Sequence, residues 1–447
     1  PQISASVGLS AGSAPKNLAI AESISTPTVY ITNSATSSLT IIPLGDMGSV
    51  TTINGGAASP WDVAVYDNGG TSKAYVTNKN HNTVSVINIG AGNVEVTGAG
   101  YPISVGASPM GIGANNATNK IYVANNNSST VSIIDGTTGT VYKTLTGFGA
   151  PYDVAVNSVT NKIYVTNNTS GTVRVINGAT DALGSSISIN VDVRGVAVDA
   201  SRNLVFVATG TPKRIYVLDG STDTVITSFI VPDSPDMIDV TPGSGIVYFT
   251  APSTGKFYAY RLVGSAYTQV AGSPLDIGAG AFGVATFKGI GSEPWPILAT
   301  AATADKFLFI EESDSYPPTF GGLVRAVDGA KSILAGGPAI DLYWDAATDS
   351  STPITYGVYI SSTPGGENFS TAPFYSTASF GTVTLNTSGL AYATSYYIVV
   401  RASDSATVQN RDTNTIEKSV FVTDGAAPTG GQLTGAVDAT TGGIVTL

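Results

Sequence analysis

The pentapeptide Ile-Tyr-Val-Thr-Asn at residues 163–167 is the most informative stretch of this 447-residue sequence. Close copies recur from Val29 onward, and weaker ones keep a large apolar residue in the second position. These second residues lie 42 to 50 residues apart along the chain. In order, the copies are VYITN from Val29, AYVTN from Ala74, IYVAN from Ile121, IYVTN from Ile163, VFVAT from Val205, VYFTA from Val247 and ILATA from Ile297.

Each copy lies within the same longer pattern. A segment led by proline usually precedes it, such as SPWDVAV at Ser59–Val65, and an alternating segment such as TVSVIN from Thr83 follows. Alternation with a period of two and many β-branched residues indicate strands rather than helices. Pairs such as Asp135-Gly136 end the third strand, and we expect a positive φ there. Four strands in each repeat of this length are typical of a propeller blade, so seven copies predict a seven-bladed β-propeller.

The seventh repeat lacks a fourth strand. After KFLFIEE at Lys306–Glu312 the sequence changes character, whereas QISASVG at Gln2–Gly8 alternates and leads into a segment containing Pro15. An unclosed propeller would expose strand edges, which folded proteins avoid. We therefore predict a propeller of residues 1–313 in which the strand at residues 3–7 closes blade seven.

The repeats resemble the YVTN family of β-propeller proteins, most closely in blades two to four. The resemblance covers Pro1–Glu312 and weakens in blades five to seven. It implies a propeller of the kind found in large secreted or surface-layer proteins of archaea and bacteria. It does not imply one particular chemistry.

A different pattern begins near Tyr316. The segment AIDLYWDAATD carries Trp344, and a later segment carries Leu390 six residues before Tyr396. This part resembles a fibronectin type III module, an immunoglobulin-like β-sandwich. The resemblance implies that Trp344 packs in the core and that Leu390 and Tyr396 form a tyrosine corner. We assign residues 314–424 to this module. Residues 425–447 resemble its opening, so they either begin a second module or add a strand to another molecule.

The composition excludes several classes of protein. With no Cys and one His, the chain can form no disulfide, cysteine nucleophile or multi-histidine metal site. A net charge of -11 offers no electrostatic footprint for nucleic acid. No apolar run approaches the roughly 18 residues of a membrane span. Charged residues make up only 11% of the chain, and this composition favours an extracellular or cell-surface β protein without a cofactor.

Candidate ligand-binding residues follow the start of each first strand, where the innermost strands of a propeller reach the mouth of the central channel. Aromatic faces and carboxylates at such a mouth can bind a sugar or a peptide. Alternatively, the aromatic residues plug the channel and the Asp side chains accept hydrogen bonds from strand-end amides. The candidates are Lys16, Trp61, Asp62, Met110, Tyr152, Asp153, Arg194, Asp236 and Phe282, within the pairs Lys16-Asn17, Trp61-Asp62, Met110-Gly111, Tyr152-Asp153, Arg194-Gly195, Asp236-Met237 and Phe282-Gly283.

Other polar residues could also carry chemistry. Asp239 takes a place held by Ala in other repeats, and with Asp236 it would either bind a cation or pair with a nearby hydroxyl or amide. His81 lies in a turn among Asn residues, where a solvated role competes with a catalytic one. We assign no metal site. The sequons that could be glycosylated are Asn116, Asn126, Asn127, Asn167, Asn168, Asn368 and Asn386.

These features favour a non-catalytic structural or interaction protein in a cell-surface layer, sheath, filament or adhesive assembly. Its partners would be copies of itself, other surface proteins or a polysaccharide, but not nucleic acid, and this segment would have no membrane span. An alternative hypothesis is a propeller that binds a glycan or peptide at the channel mouth. A third is a metal-dependent propeller lyase or lactonase using Asp62, Asp153 and Asp239, although fold alone does not determine chemistry.

Overall fold

The computed structural model describes most of the chain. The described residues are 1–22, 26–54, 59–68, 72–189, 192–243, 245–263, 265–286, 297–311, 320–328, 338–347, 353–385, 389–403, 411–412, 414–422, 436–437 and 444–445. They form strands, turns and bends and contain no helix. Within this part of the chain, no helix has the length and apolar character needed to cross a membrane. The fold is therefore all-β, as the alternating pattern predicted.

Two compact units divide the chain, Pro1–Glu312 and Ser313–Leu447. The boundary predicted at residues 313–314 falls within 312–319, outside the described residues. The described residues of the first unit form seven antiparallel sheets, five with four strands and two with five. Many strands end at Asn or Asp, for example at Asn78, Asn125 and Asp135, because these residues tolerate turn geometry.

The strands of the first unit follow the repeats in order. Sheet 1 contains β2 Pro15–Ala21, β3 Thr28–Asn33, β4 Ser38–Pro43 and β5 Thr51–Asn54; sheet 2 contains β6 Pro60–Asp67, β7 Ser72–Asn78, β8 Thr83–Asn88, β9 Val94–Glu95 and β10 Ile103–Ser104; sheet 3 contains β11 Pro109–Asn115, β12 Lys120–Asn125, β13 Thr130–Asp135 and β14 Thr140–Thr146; sheet 4 contains β15 Pro151–Asn157, β16 Lys162–Asn167, β17 Thr172–Asn177 and β18 Ala182–Ser188.

The remaining sheets repeat this plan. Sheet 5 contains β19 Val193–Asp199, β20 Leu204–Thr209, β21 Arg214–Asp219 and β22 Thr224–Ile230; sheet 6 contains β23 Ile238–Val240, β24 Val247–Ala251, β25 Lys256–Val263, β26 Ala266–Gln269 and β27 Leu275–Asp276; sheet 7 contains β28 Ala281–Thr286, β29 Ile297–Ala301, β30 Lys306–Glu311 and the first strand of the chain, β1 Gln2–Gly8.

The first strands of the seven sheets contact one another in a closed cycle, from β2 through β6, β11, β15, β19 and β23 to β28 and back to β2. We call this first unit the ring unit. β1 is antiparallel to β30, and Ser6 is opposite Leu308 in that register. The two ends of the unit therefore meet in sheet 7. Apolar clusters fill the spaces between neighbouring sheets, such as the one that packs Phe307 of sheet 7 against Val29 and Ile31 of sheet 1.

The repeated tyrosine joins one sheet to the next. Tyr30, Tyr75, Tyr122 and Tyr164 are buried, and each hydroxyl donates to a turn of the following sheet. Tyr30, for example, donates to Asn93 Oδ1 at 2.6 Å. The repeated asparagine acts within its own hairpin, since Asn78 Nδ2 donates to the hydroxyls of Thr83 and Ser85, both at 3.0 Å. The motif thus combines contacts within and between sheets.

The expectation of a positive φ at Asp-Gly and Asn-Gly pairs is wrong. Positive φ occurs later in these turns, at Gly139 (71°), Asp181 (55°) and Asp223 (54°), whereas the glycines at 136, 178 and 220 lack it. Glycine is favoured at these positions for a different reason, because neighbouring atoms lie too close for a Cβ to fit. A Cβ at residue 178, for instance, would lie 2.1 Å from Asn161 Oδ1.

The second unit contains two antiparallel sheets around one apolar core. Trp344 lies fully buried in that core, and the hydroxyl of Tyr396 accepts a hydrogen bond from the backbone N–H of Ala391 at 2.7 Å. Of residues 425–447, only two short paired strands are described. The strands are β31 Arg325–Asp328, β32 Ile340–Trp344 and β35 Gly381–Leu385 in one sheet; β33 Thr355–Ser361, β34 Tyr375–Thr377, β36 Thr394–Ser403 and β37 Lys418–Val422 in the other; and β38 Ala436–Val437 with β39 Ile444–Val445.

Candidate functional site

A repeated β-bulge positions most of the candidate residues. In sheet 2, Pro60 is opposite Asn78 and Val63 is opposite Val76, so Trp61 and Asp62 together face one residue, Thr77. Two residues against one is the definition of a bulge, which redirects side chains locally. Sheets 1, 3, 4, 5 and 7 have the same irregularity at the corresponding place. The candidate pairs therefore lie where the innermost strands depart from regular pairing.

The threonine of the repeat accepts a hydrogen bond from a backbone N–H of the bulge and links neighbouring sheets. Thr77 Oγ1 accepts from the N–H of Asp62 at 3.0 Å and donates to the carbonyl of Met110 in sheet 3 at 2.8 Å. The same link closes the cycle, because Thr300 Oγ1 of sheet 7 donates to the carbonyl of Lys16 in sheet 1 at 2.6 Å. Buried polar groups need such partners, so this hydroxyl has a structural role.

Three carboxylates, of which Asp62 and Asp153 are buried and Asp239 is half-buried, clamp neighbouring first strands. Asp62 accepts from the N–H of Val63 at 2.8 Å and, in the next sheet, from Ile112 at 3.0 Å. Asp153 does the same with Val154 at 2.8 Å and Val196 at 2.9 Å. In sheet 6 the clamp lies two residues further along, where Asp239 accepts from Val240 at 2.8 Å and Thr286 at 2.7 Å. This geometry matches the alternative in which Asp side chains bond amides.

Burial changes the ionisation of these carboxyls. Burial, together with the nearby charge of Asp153, raises the pKa of Asp62 to about 8, although the N–H donors oppose the rise. Burial likewise raises the pKa values of Asp153 and Asp239 to about 6. Loss of hydration disfavours the charged form, whereas donated hydrogen bonds favour it. The oxygens of all three are occupied by donors of the protein itself.

A cationic and aromatic group lies beside these clamps. Lys79 Nζ is 3.7 Å from the centre of the Trp61 ring, and Lys16 Nζ is 5.3 Å from it. Lys16 Nζ also lies 4.4 Å from the centre of the Phe282 ring, which meets Trp61 edge to face at 5.4 Å. These separations are within the range of cation–π attraction. We call Lys16, Trp61, Lys79 and Phe282 the Trp61 cluster.

A second polar group forms around Asp236. The hydroxyl of Tyr152 donates to Asp236 Oδ1 at 2.7 Å, and Arg194 lies 3.8 Å from Asp236 Oδ2. Arg194 also makes two hydrogen bonds of 3.0 Å to Asp192. Burial raises the pKa of Asp236, although Tyr152 and Arg194 act in the opposite direction. Trp61 and Tyr152 pack with Met237 and Phe282, so aromatic side chains from three sheets share one apolar cluster.

The structure thus brings together most of the candidates and adds two residues that the sequence reasoning missed. Met110 is buried, and its carbonyl accepts from Thr77. The missed residues are Lys79 and Asp192. Lys79 directly follows the repeat of sheet 2, and the antiparallel pairing of Asn78 with Pro60 could have located it beside Trp61. Asp192 precedes a first strand that lacks proline and offers no comparable signal.

The other singled-out residues occupy varied surroundings. His81 is exposed in the turn that also carries Lys79. Among the described residues, no three His, Cys, Asp or Glu side chains gather in a group that could hold a metal ion. Asn167 is buried and its Nδ2 donates to Thr172, so this sequon does not present its amide to solvent. Asn116, Asn127 and Asn368 are exposed, Asn126 and Asn168 are half-buried, and Asn386 lies outside the described residues.

Comparison with solved structures identifies the fold of the ring unit. Virginiamycin B lyase of Staphylococcus aureus aligns with a TM-score of 0.54 and 15% identity, over 68% of this chain and 97% of the lyase. The hydrazine synthase of Kuenenia stuttgartiensis aligns with a TM-score of 0.58 and 17% identity, over 70% of this chain and 99% of that chain. A chain of the mitotic checkpoint complex aligns at 0.57 and 14% identity, over 69% and 95%.

The ring unit is a β-propeller. The similar structures are propeller proteins, and the four-stranded antiparallel sheets of this chain match their blades. At 14 to 17% identity these similarities establish the fold alone. No family model and no curated protein matches the sequence. The YVTN and fibronectin resemblances therefore remain expectations.

The prediction of a non-enzyme is contradicted by this comparison, because the similar propellers include two lyases and a hydrazine synthase. The physical reason for the error is that propeller enzymes place their chemistry on loops around the channel, where a few residues suffice and composition gives no warning. One structure of the S. aureus lyase is a catalytically inactive variant in which a histidine is replaced by alanine. The one histidine of this chain, His81, is exposed.

Proposed function

We propose that this protein is an extracellular surface protein whose propeller has seven blades and binds a polysaccharide at the Trp61 cluster. The observation that carries the proposal is the half-buried Trp61 ring with two lysine ammonium groups beside it. Aromatic rings bind the apolar faces of sugars, and neighbouring charged donors bind hydroxyl or acidic groups. The carboxylates of the clamps are occupied by backbone amides, so they are not the ligand-binding groups.

Replacement of Trp61 tests this proposal. We expect Trp61→Ala to abolish binding on a glycan array, with Tyr152→Ala weakening it, because Trp61→Ala removes the ring that lies beside both lysines. Phe380→Ala is the matched control, since Phe380 is an aromatic residue of the second unit that is 61% exposed. Equal glycan binding by wild type and Trp61→Ala would contradict the proposed site. Binding to peptides but to no glycan would show that the proposed class of ligand is wrong.

A role in a surface layer, sheath, filament or adhesive assembly is the second candidate function. It is favoured by β22, the last strand of its sheet, which exposes Val225, Ile226 and Ile230. Exposed apolar side chains along one strand are typical of contact surfaces. We propose that the second unit is a fibronectin type III-like sandwich. Electron microscopy of native surface material would show an ordered assembly, and isolated particles would argue against this role.

A further inference from the structure

We infer that the ligand of the Trp61 cluster is an anionic polysaccharide whose acidic groups bind between Lys16 and Lys79. This inference rests on the proposed polysaccharide-binding function and adds the charge of the ligand. It concerns a site on a protein whose net charge is -11, so attraction of an anion there must come from local charge. The chemical class is defined by its acidic groups, either carboxylate or sulfate.

The first observation is two ammonium groups held near one ring. Both Nζ atoms lie within 5.3 Å of the centre of the Trp61 ring. Burial lowers the pKa of Lys79, and the positive charge of Lys16 lowers it further. Two positive charges in a partly buried place each disfavour the charged form of the other unless an anion lies nearby. A bound acidic group would therefore relieve a repulsion that the free protein contains.

The second observation concerns the carboxylates within reach. Asp236 is the carboxylate that acts on Lys16, yet its oxygens are already engaged by Tyr152 and Arg194. Within the described part of the chain, neither Lys16 Nζ nor Lys79 Nζ forms an ion pair at or below 4.0 Å. Lys120 and Lys162, by contrast, are paired with Asp181 and Asp223. The two lysines of the Trp61 cluster therefore have no close carboxylate partner among the described residues.

The third observation is a donor that lacks an acceptor. Trp61 Nε1 is buried and has no hydrogen-bond partner among the described residues. Buried donors without partners are rare in folded proteins, and each one invites an explanation. Lysine side chains are long and rotate readily, so Lys79 can adjust its position to a group bound beside the indole. An acidic group seated there would accept from Nε1–H and from the ammonium groups.

Calorimetric titration of the full chain tests this inference with three probes. The probes are oligogalacturonate, its neutral counterpart with the carboxylates reduced to alcohols, and a sulfated form of that neutral sugar. We expect at least one charged probe to bind about tenfold or more tighter than the neutral one, and its affinity to fall as salt is raised. The charged probe that binds identifies the acidic group.

The double variant Lys16→Met/Lys79→Met should lose this preference, so that charged and neutral sugars bind it about equally. The matched control is Lys213→Met, since Lys213 is exposed and donates to the carbonyl of Pro232. Thermal unfolding checks that each variant folds. Equal binding of charged and neutral sugars by the wild-type protein would overturn the inference and leave the proposed function standing. Binding of no sugar would overturn both, and a preference that survives in the double variant would overturn the inference.

Discussion

Deletion of Pro1–Leu9 should lower the melting temperature of the propeller sharply. The deletion removes β1 and leaves the backbone donors and acceptors of β30 on an open edge. It also removes Val7 and Leu9, which pack against the apolar cluster between sheets 7 and 1. We expect a loss of about 4 kcal/mol or more in the free energy of unfolding, beyond the range of most single substitutions.

The expected loss has a second cause at the junction with sheet 1. The N–H of Leu9 donates to the carbonyl of Asp305 at 2.8 Å, a bond that the deletion removes. The carboxylate of Asp305 also accepts from Gly12 at 2.6 Å and Ala14 at 3.1 Å, and these bonds would lose their support. Without β1, the segment that connects sheets 7 and 1 is held by fewer bonds.

Thermal unfolding monitored by calorimetry would measure this effect. Ile3→Thr is the matched control, because Ile3 is 43% exposed and threonine keeps the strand preference; it should change the free energy of unfolding by less than about 0.5 kcal/mol. A synthetic peptide of residues 1–9 added to the truncated protein should restore part of the lost stability. An unchanged melting temperature after deletion would show that β1 does not hold the ring closed.

Gly111→Ala should destabilise the propeller by about 3 kcal/mol, a typical cost of overpacking a rigid interior. A Cβ at residue 111 would lie 2.5 Å from Asp153 Cα and 2.8 Å from the carbonyl oxygen of Tyr152. Both atoms belong to the backbone of the next first strand, so no side-chain rotation relieves the overlap. The strands themselves would have to separate, which would also strain the clamp from Asp62 to the N–H of Ile112.

Gly8→Ala provides the matched control for this prediction. Gly8 ends the strand β1, and a Cβ added there would meet nothing within 4 Å. The replacement should be neutral or slightly stabilising, since alanine restricts the unfolded chain more than glycine does. Chemical denaturation of the two variants would compare them directly. Similar midpoints would contradict the tight approach between sheets 3 and 4.

The local elements of this protein could be read from its sequence because they depend on short-range chemistry. Alternation with a period of two gave the strands, and Asn, Asp and Gly gave the turns. The spacing of Tyr30, Tyr75 and Tyr122 indicated repeated four-stranded sheets, and the all-β propeller fold is confirmed. The error about positive φ at Asp135-Gly136 shows the limit, since those glycines respond to neighbours in space.

The candidate site could be located in part. The position after each leading proline pointed to Trp61, Tyr152 and Phe282, which do share one apolar cluster. The partners of these residues could not be found the same way. Lys79 comes 18 residues after Trp61 in the sequence and meets it only through the pairing of β6 with β7.

By itself, the sequence determined the strands, their repeat and the residues that the first strands present, because these follow from local periodicity and turn preference. Only the tertiary structure decided what those residues do. Asp62 became a clamp because the N–H of Ile112, 50 residues later, lies 3.0 Å from it. Lys16 and Lys79 became a paired cationic group because the cycle of sheets brings them to one indole ring. Charge, burial and hydrogen bonding depend on distances in space, and the closed ring sets those distances.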